Sequence, residues 1–145
     1  MMSTNAIRIA EIDNKLPQPR AQRTNAETER SQVRTTIEVL TAAKNKLSTA
    51  LDHYLHFPSD YAALHEPVQT SHFKGSNRRS IESGLDQIKT DLENEENCHH
   101  EQLEAIKTRL TREGDQEMTL TGRVNSLSGQ ISGLEHERRR LVLSS

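Results

Sequence analysis

Aromatic residues make up only 3% of the 145-residue sequence, with no Trp, two Phe and two Tyr. Such side chains dominate most cores and ligand pockets, so their scarcity argues against a small-molecule substrate pocket. Cysteine occurs once, at Cys98. A lone Cys forms no intramolecular disulfide, so the fold does not depend on an oxidising compartment. Neither sign of charge is in excess: 19 Lys and Arg face 21 Asp and Glu, for a net charge of −2. That balance lacks the electrostatic footprint of a nucleic-acid or anionic-membrane binder. No stretch of 18 apolar residues occurs, and the opening MMSTNAIRIAEIDNKLPQPR has no basic region followed by an apolar run. No membrane span or cleaved Sec signal peptide is therefore expected. The expected location is the cytoplasm, with any export using a route that reads another signal. Leu, Ile, Val and Phe together supply 30 of the 145 residues, about 21%. This value sits near the boundary of disorder and excludes a thick, all-round core.

What is present is a pattern of long helices. All four prolines, at positions 17, 19, 58 and 67, precede Val68, and proline breaks helix interiors. The spacing predicts an N-terminal segment 1–19 with a short helix and then a single helical domain, 20–145. Within that domain a helix of about 20–56, a connector of about 57–76 and a long helix of about 77–142 are expected. The fold class is all-α: an elongated antiparallel two-helix hairpin of coiled-coil character, with Pro17 and Pro19 marking a kink. Thr24 with Glu27, and Ser76 or Asn77 after Gly75, are candidate helix starts.

Val33, Ile37, Leu40, Leu47, Leu51 and Tyr54 follow a 4-3 alternation whose missing member is Lys44. Ile81, Leu85, Ile88 and Leu92 start a second seam, which continues through Glu95 and His99, takes a stutter to Leu103 and resumes to Leu134. Pairing residues whose numbers add to 132 sets Leu51 against Ile81, Leu47 against Leu85 and Leu40 against Leu92. Two mirror-image repeats always align at some such value, so the alignment establishes compatibility alone. It leaves roughly the last twenty residues overhanging. Gly114, Gly122, Gly129 and Gly133 each cost about 1 kcal/mol relative to Ala in a helix, so a break at Gly114, or ordering only on a partner, is expected in the C-terminal third. One buried stripe is little to set against the ordering of a whole chain. Val39, Leu55, Leu64, Val68, Met118, Val142 and Leu143 lie off the seam. A protein partner is thus expected, or a homo-oligomer when the chain is alone.

Catalytic and metal chemistry find little support. His53, His56, His65 and His72 cluster around the connector, whereas Cys98, His99 and His100 lie on the order of 35 Å along the second helix. Adjacent His99 and His100 project about 100° apart and do not make the i, i+4 pair of a helical metal site. His99 reads as a polar seam residue, and no metal or other cofactor is expected. The carboxylates at Glu93, Glu95, Glu96 and Glu101 read as a solvated face. No phosphate loop, nucleophile elbow or zinc-protease signature occurs, so no enzyme is expected. Arg138 to Arg140 are accounted for by the C-terminal end of a helix, where cations complement the dipole.

Phe73-Lys74-Gly75-Ser76, followed by Arg78-Arg79 and a long heptad-bearing helix, stands out. A ring two residues before a turn glycine suits the closed end of a hairpin. This arrangement resembles the Trp-X-Gly superfamily of small type VII secretion proteins, with Phe73 in the place of the usual Trp and Gly75 matching its Gly. It is most similar to the LXG-toxin-associated helical proteins of Gram-positive bacteria, over about residues 30–140. The resemblance implies a non-enzymatic subunit that binds the helical N-terminal domain of an LXG toxin. A second small helical protein would complete the targeting complex. Phe73 and Gly75 would be the partner-binding or hairpin-turn residues. The family's export tail, an aromatic followed four residues later by an acid, is missing: Tyr54 leads to Pro58, Phe57 to Tyr61, Tyr61 to His65 and Phe73 to Asn77. The resemblance then puts the export signal on another subunit. The other reading is a structural coiled coil that self-associates along the same seams.

Overall fold

A computed structural model describes residues 3–55, 58–63 and 75–144. The chain is all-α, with α1 (Thr4–Lys15), α2 (Pro17–Tyr54), α3 (58–63) and α4 (Ser76–Ser144). Among the described residues there is no strand. The two long helices pack against each other as a helical hairpin.

Helix α1 starts because the Ser3 hydroxyl accepts the Ala6 N–H at 3.1 Å, satisfying a first-turn donor. It stops where Pro17 and Pro19 remove two consecutive odd-numbered donors from the ladder. The surviving bonds there run from Leu16 N–H to the Ile12 carbonyl (2.9 Å) and from Arg20 N–H to the Leu16 carbonyl (3.2 Å). The helical run from Thr4 to residue 63 is bent. Because α2 begins at Pro17, Thr24 lies inside the helix and not at its start. Its hydroxyl donates to the Arg20 carbonyl at 3.1 Å, which corrects the expected cap.

Chain contacts define two compact units. In the first, Met1–Glu38 and Thr111–Ser145, the buried residues are Ile12, Leu16, Ala26 and Val33 with Leu120, Val124, Leu127 and Ile131. Ile12 (0% exposed), Leu16 and Ile131 (2% exposed) form one cluster, against which Leu134 and Leu141 pack. Ion pairs flank it, Arg8 with Glu137 at 2.8 Å, Arg138 with Asp13 at 2.6 Å and Arg20 with Glu135 at 2.9 Å, and Arg34 pairs with Glu117 at 2.8 Å further along the unit. Hydrogen bonding to their arginine partners holds the Asp13 and Glu137 carboxyls below their ordinary range.

This unit overturns two expectations. The last twenty residues do not overhang, since Leu134, Glu137, Arg138 and Leu141 lie against α1 and its hinge. Nor does the helix break at Gly114: α4 is continuous to Ser144. The run Leu120, Val124, Leu127 and Ile131 is all apolar and buried, and that burial outweighs the cost of four glycines whose Cβ positions face open space.

In the second unit, Val39–Leu110, Leu51 and Leu103 are buried. Leu40, Leu47, Tyr54, His99, Ile106 and Leu110 are half-buried. The 132 pairing is wrong in both units. Arg34 meets Glu117 in the first, and Tyr54 meets Glu95 and His99 in the second. These pairs have numbers adding to 151, 149 and 153. The physical reason is that the inward stripe of α2 starts much earlier than Val33. It runs Leu16, Pro19, Arg23, Ala26, Arg30 and Val33 at unbroken 3-4 spacing, with none of the six exposed. The longer stripe draws the apolar run Leu120–Ile131 into pairing.

Candidate functional site

The nine seam residues expected from the sequence fall into three groups. Val33 and Leu51 are buried, and Ile37, Leu40, Leu47, Leu85 and Leu92 are half-buried. Ile81 and Ile88 are 37% and 53% exposed. That pair corrects the seam assignment, because the register sets residues 95–99 of α4 opposite Tyr54, where residues 78–81 were expected. Phe73 lies outside the described residues. Gly75 is described, and among the described residues it is the one with positive φ, +72°. Its carbonyl accepts the Arg79 N–H at 3.3 Å, so the first turn of α4 grows directly from it. A side chain at Gly75 would be strained there whatever the space around it.

Further along α4, at its residues 86–99, unit two gathers its two tyrosines. The Tyr54 hydroxyl donates to a Glu95 oxygen at 3.3 Å and lies 3.3 Å from His99 Nδ1, with the two rings edge to face at 5.7 Å. Desolvation, then the Glu95 charge, pushes the Tyr54 phenol up from its ordinary value. Tyr61 of α3 donates to Asp86 at 2.7 Å, which raises its phenol likewise, and Lys89 Nζ sits 5.2 Å from the centre of its ring. A shallow groove runs between these rings, lined by Tyr54, Leu55, Pro58, Tyr61, Lys89 and Glu93. Leu55, 73% exposed, lies on its rim. An aromatic and apolar floor with a charged rim suits a side chain of another protein.

Among the described residues, the other exposed large apolar side chains in unit two are Val39, Ile81 and Ile88. In unit one they are Ile7, Met118, Val142 and Leu143. The sequence singled out most of these as spare surface but not Tyr61, and the 132 pairing carried Ile7 and Ile12 toward Val124 and Leu120, where α1 in fact meets Ile131, Glu137 and Arg138. The signal for α1 was available in Ile12 and Leu16, four apart and followed by the heptad of α2. Cys98 and His100 are exposed, and His100 pairs with Glu96 at 3.5 Å. His56, His65 and His72 lie outside the described residues. Among the described residues, no three His, Cys, Asp or Glu side chains converge as a metal set, and no helix is long and apolar enough to cross a membrane. Comparison with protein-family models, curated proteins and solved structures finds no match to this chain.

Proposed function

We propose that this chain is a non-enzymatic partner subunit that binds the helical N-terminal domain of an LXG-type toxin, together with a second small helical protein. In this role it supports type VII secretion of that toxin. The observation that carries the reading is the start of α4. A positive-φ glycine, Gly75, launches a 69-residue helix two positions after Phe73 in a helical hairpin. Support also comes from apolar side chains left open on both units, Leu55, Met118 and Leu143 being the most exposed. Exposed aliphatic groups on a thinly packed hairpin gain from burial against another protein.

A second reading, a self-associating structural coiled coil, is favoured by Ile81 and Ile88. They stand one heptad apart on α4, and both are open to solvent. Sedimentation of the isolated chain separates the two readings. The partner reading expects no stable, concentration-independent homodimer, and finding one favours the coiled coil. Phe73→Ala is expected to lower capture of the toxin domain. Unchanged capture removes Phe73 from the interface.

A further inference from the structure

We propose that α1 is a displaceable strap. The apolar face beneath it on α4, formed by Ile131, Leu134 and Leu141, is a docking site for a partner helix patterned like α1 itself. The proposal deepens the partner reading and rests on it only in requiring that the partner be helical.

The argument begins with the backbone. Pro17 and Pro19 take two donors out of the ladder between α1 and α2, so helical order in α2 is not transmitted fully to α1. Helix α1 has 12 residues, a length at which an isolated helix is marginal in water. It must therefore be held by what it touches. Within its span one side chain is fully buried, Ile12. The other anchors are charged: Arg8 grips Glu137 through two bonds of 2.8 and 3.1 Å, and Arg138 grips Asp13 at 2.6 and 3.4 Å. All four side chains are between 29% and 47% exposed, so salt screens these bonds. Elements with few buried contacts and solvent-exposed bonds open locally while the rest of a fold stays closed.

What α1 covers is the better-packed surface. Ile131 is 2% exposed, with Leu134 and Leu141 packed beside it. The face continues into Val142, which is 46% exposed. Opening the strap would create one apolar strip at the end of α4, with Glu137 and Arg138 along its edge. The chemistry of its occupant can be read from α1: two aliphatic residues four apart, as in Ile12 and Leu16, an acid to meet Arg138 and a base to meet Glu137.

The test uses the full chain and a fluorescent peptide of residues 3–16 as the helix offered in trans. Ile12→Asp is expected to release the strap. Hydrogen exchange should then speed up in residues 4–15 while 20–38 and 117–131 stay protected. The peptide, measured by anisotropy, should bind this variant about a hundredfold more tightly than the unaltered chain, as for a face that is free about a hundredth of the time. Adding Ile131→Asp should abolish that binding. Equal binding to the Ile12→Asp and unaltered chains, or binding to neither, overturns the proposal. So does loss of protection through 20–38 in the milder Ile12→Ala variant, because α1 would then be an integral part of the fold. A dimer of the unaltered chain that the peptide dissociates would make a second copy the occupant and overturn the commitment to a partner. The assay contains no toxin, so its failure and that of the toxin-binding reading are distinguishable.

Discussion

Ile131 and Ile88 are the same residue type on the same helix, and the hairpin register assigns them opposite fates. Ile131 is 2% exposed and packed against Ile12 and Leu16, whereas Ile88 is 53% exposed. Truncating a buried Ile to Ala costs about 2–5 kcal/mol through lost transfer energy and the cavity left behind. The better helix propensity of Ala returns only a few tenths, roughly 0.4 kcal/mol. Ile131→Ala should therefore destabilise unit one by about 3 kcal/mol, equivalent to a fall in urea midpoint of about 1.5 M at roughly 2 kcal/mol per M. Should that unfold the chain outright, Ile131→Val costs about 1 kcal/mol and lowers the midpoint by about 0.5 M. For Ile88→Ala, partial exposure and improved propensity nearly cancel, leaving a change within about 0.5 kcal/mol. Urea titration followed by circular dichroism at the helix band measures all three. A larger loss from Ile88→Ala than from Ile131→Ala refutes the reasoning. It would restore the 132 pairing, in which Ile88 lies on the seam and Ile131 in the overhang.

Gly75→Ala forces an L side chain to φ near +72° and should lower stability by about 1–2 kcal/mol in the same titration. Gly75→Asn should lose less, because Asn tolerates the left-handed region. Acidification should weaken unit one. The bonds from Arg138 to Asp13 and from Arg8 to Glu137 depress both carboxyls in the folded state. Their stabilisation is present above the unfolded carboxylate range and is lost as pH falls through the folded values. Thermal melts from about pH 6 to about pH 3 should show a smaller fall for Asp13→Asn than for the unaltered chain, and added salt should shrink the difference. An identical fall in both chains would remove the Asp13 bond from the account.

The helices were legible because their punctuation is local. Four prolines before Val68 and a 4-3 apolar alternation are enough to identify a hairpin with a short N-terminal helix. Register was not legible, because it is decided by comparing alternatives. The stripe from Leu16 to Val33 passes through Pro19, Arg23, Ala26 and Arg30, and these residues disguise a heptad that an apolar count cannot find. Arginine can nevertheless occupy such positions by laying its methylenes along the seam while its charge reaches water. The C-terminal third looked weak because its glycines are visible in sequence, whereas the burial of Leu120, Val124, Leu127 and Ile131 depends on α1 and α2. Within the candidate site, Gly75 was legible from its place before a helix start. The Tyr54, His99 and Glu95 contact was not, since it follows from the register.

The partner reading is tested most directly by mass spectrometry of what co-purifies with the tagged chain from its native host, at native expression and without cross-linker. The account predicts recovery of a large protein with a helical N-terminal domain and of a second small helical protein. Recovery of the bait alone, as a defined homo-oligomer, would contradict it and reduce Phe73 to Gly75 to an ordinary hairpin turn.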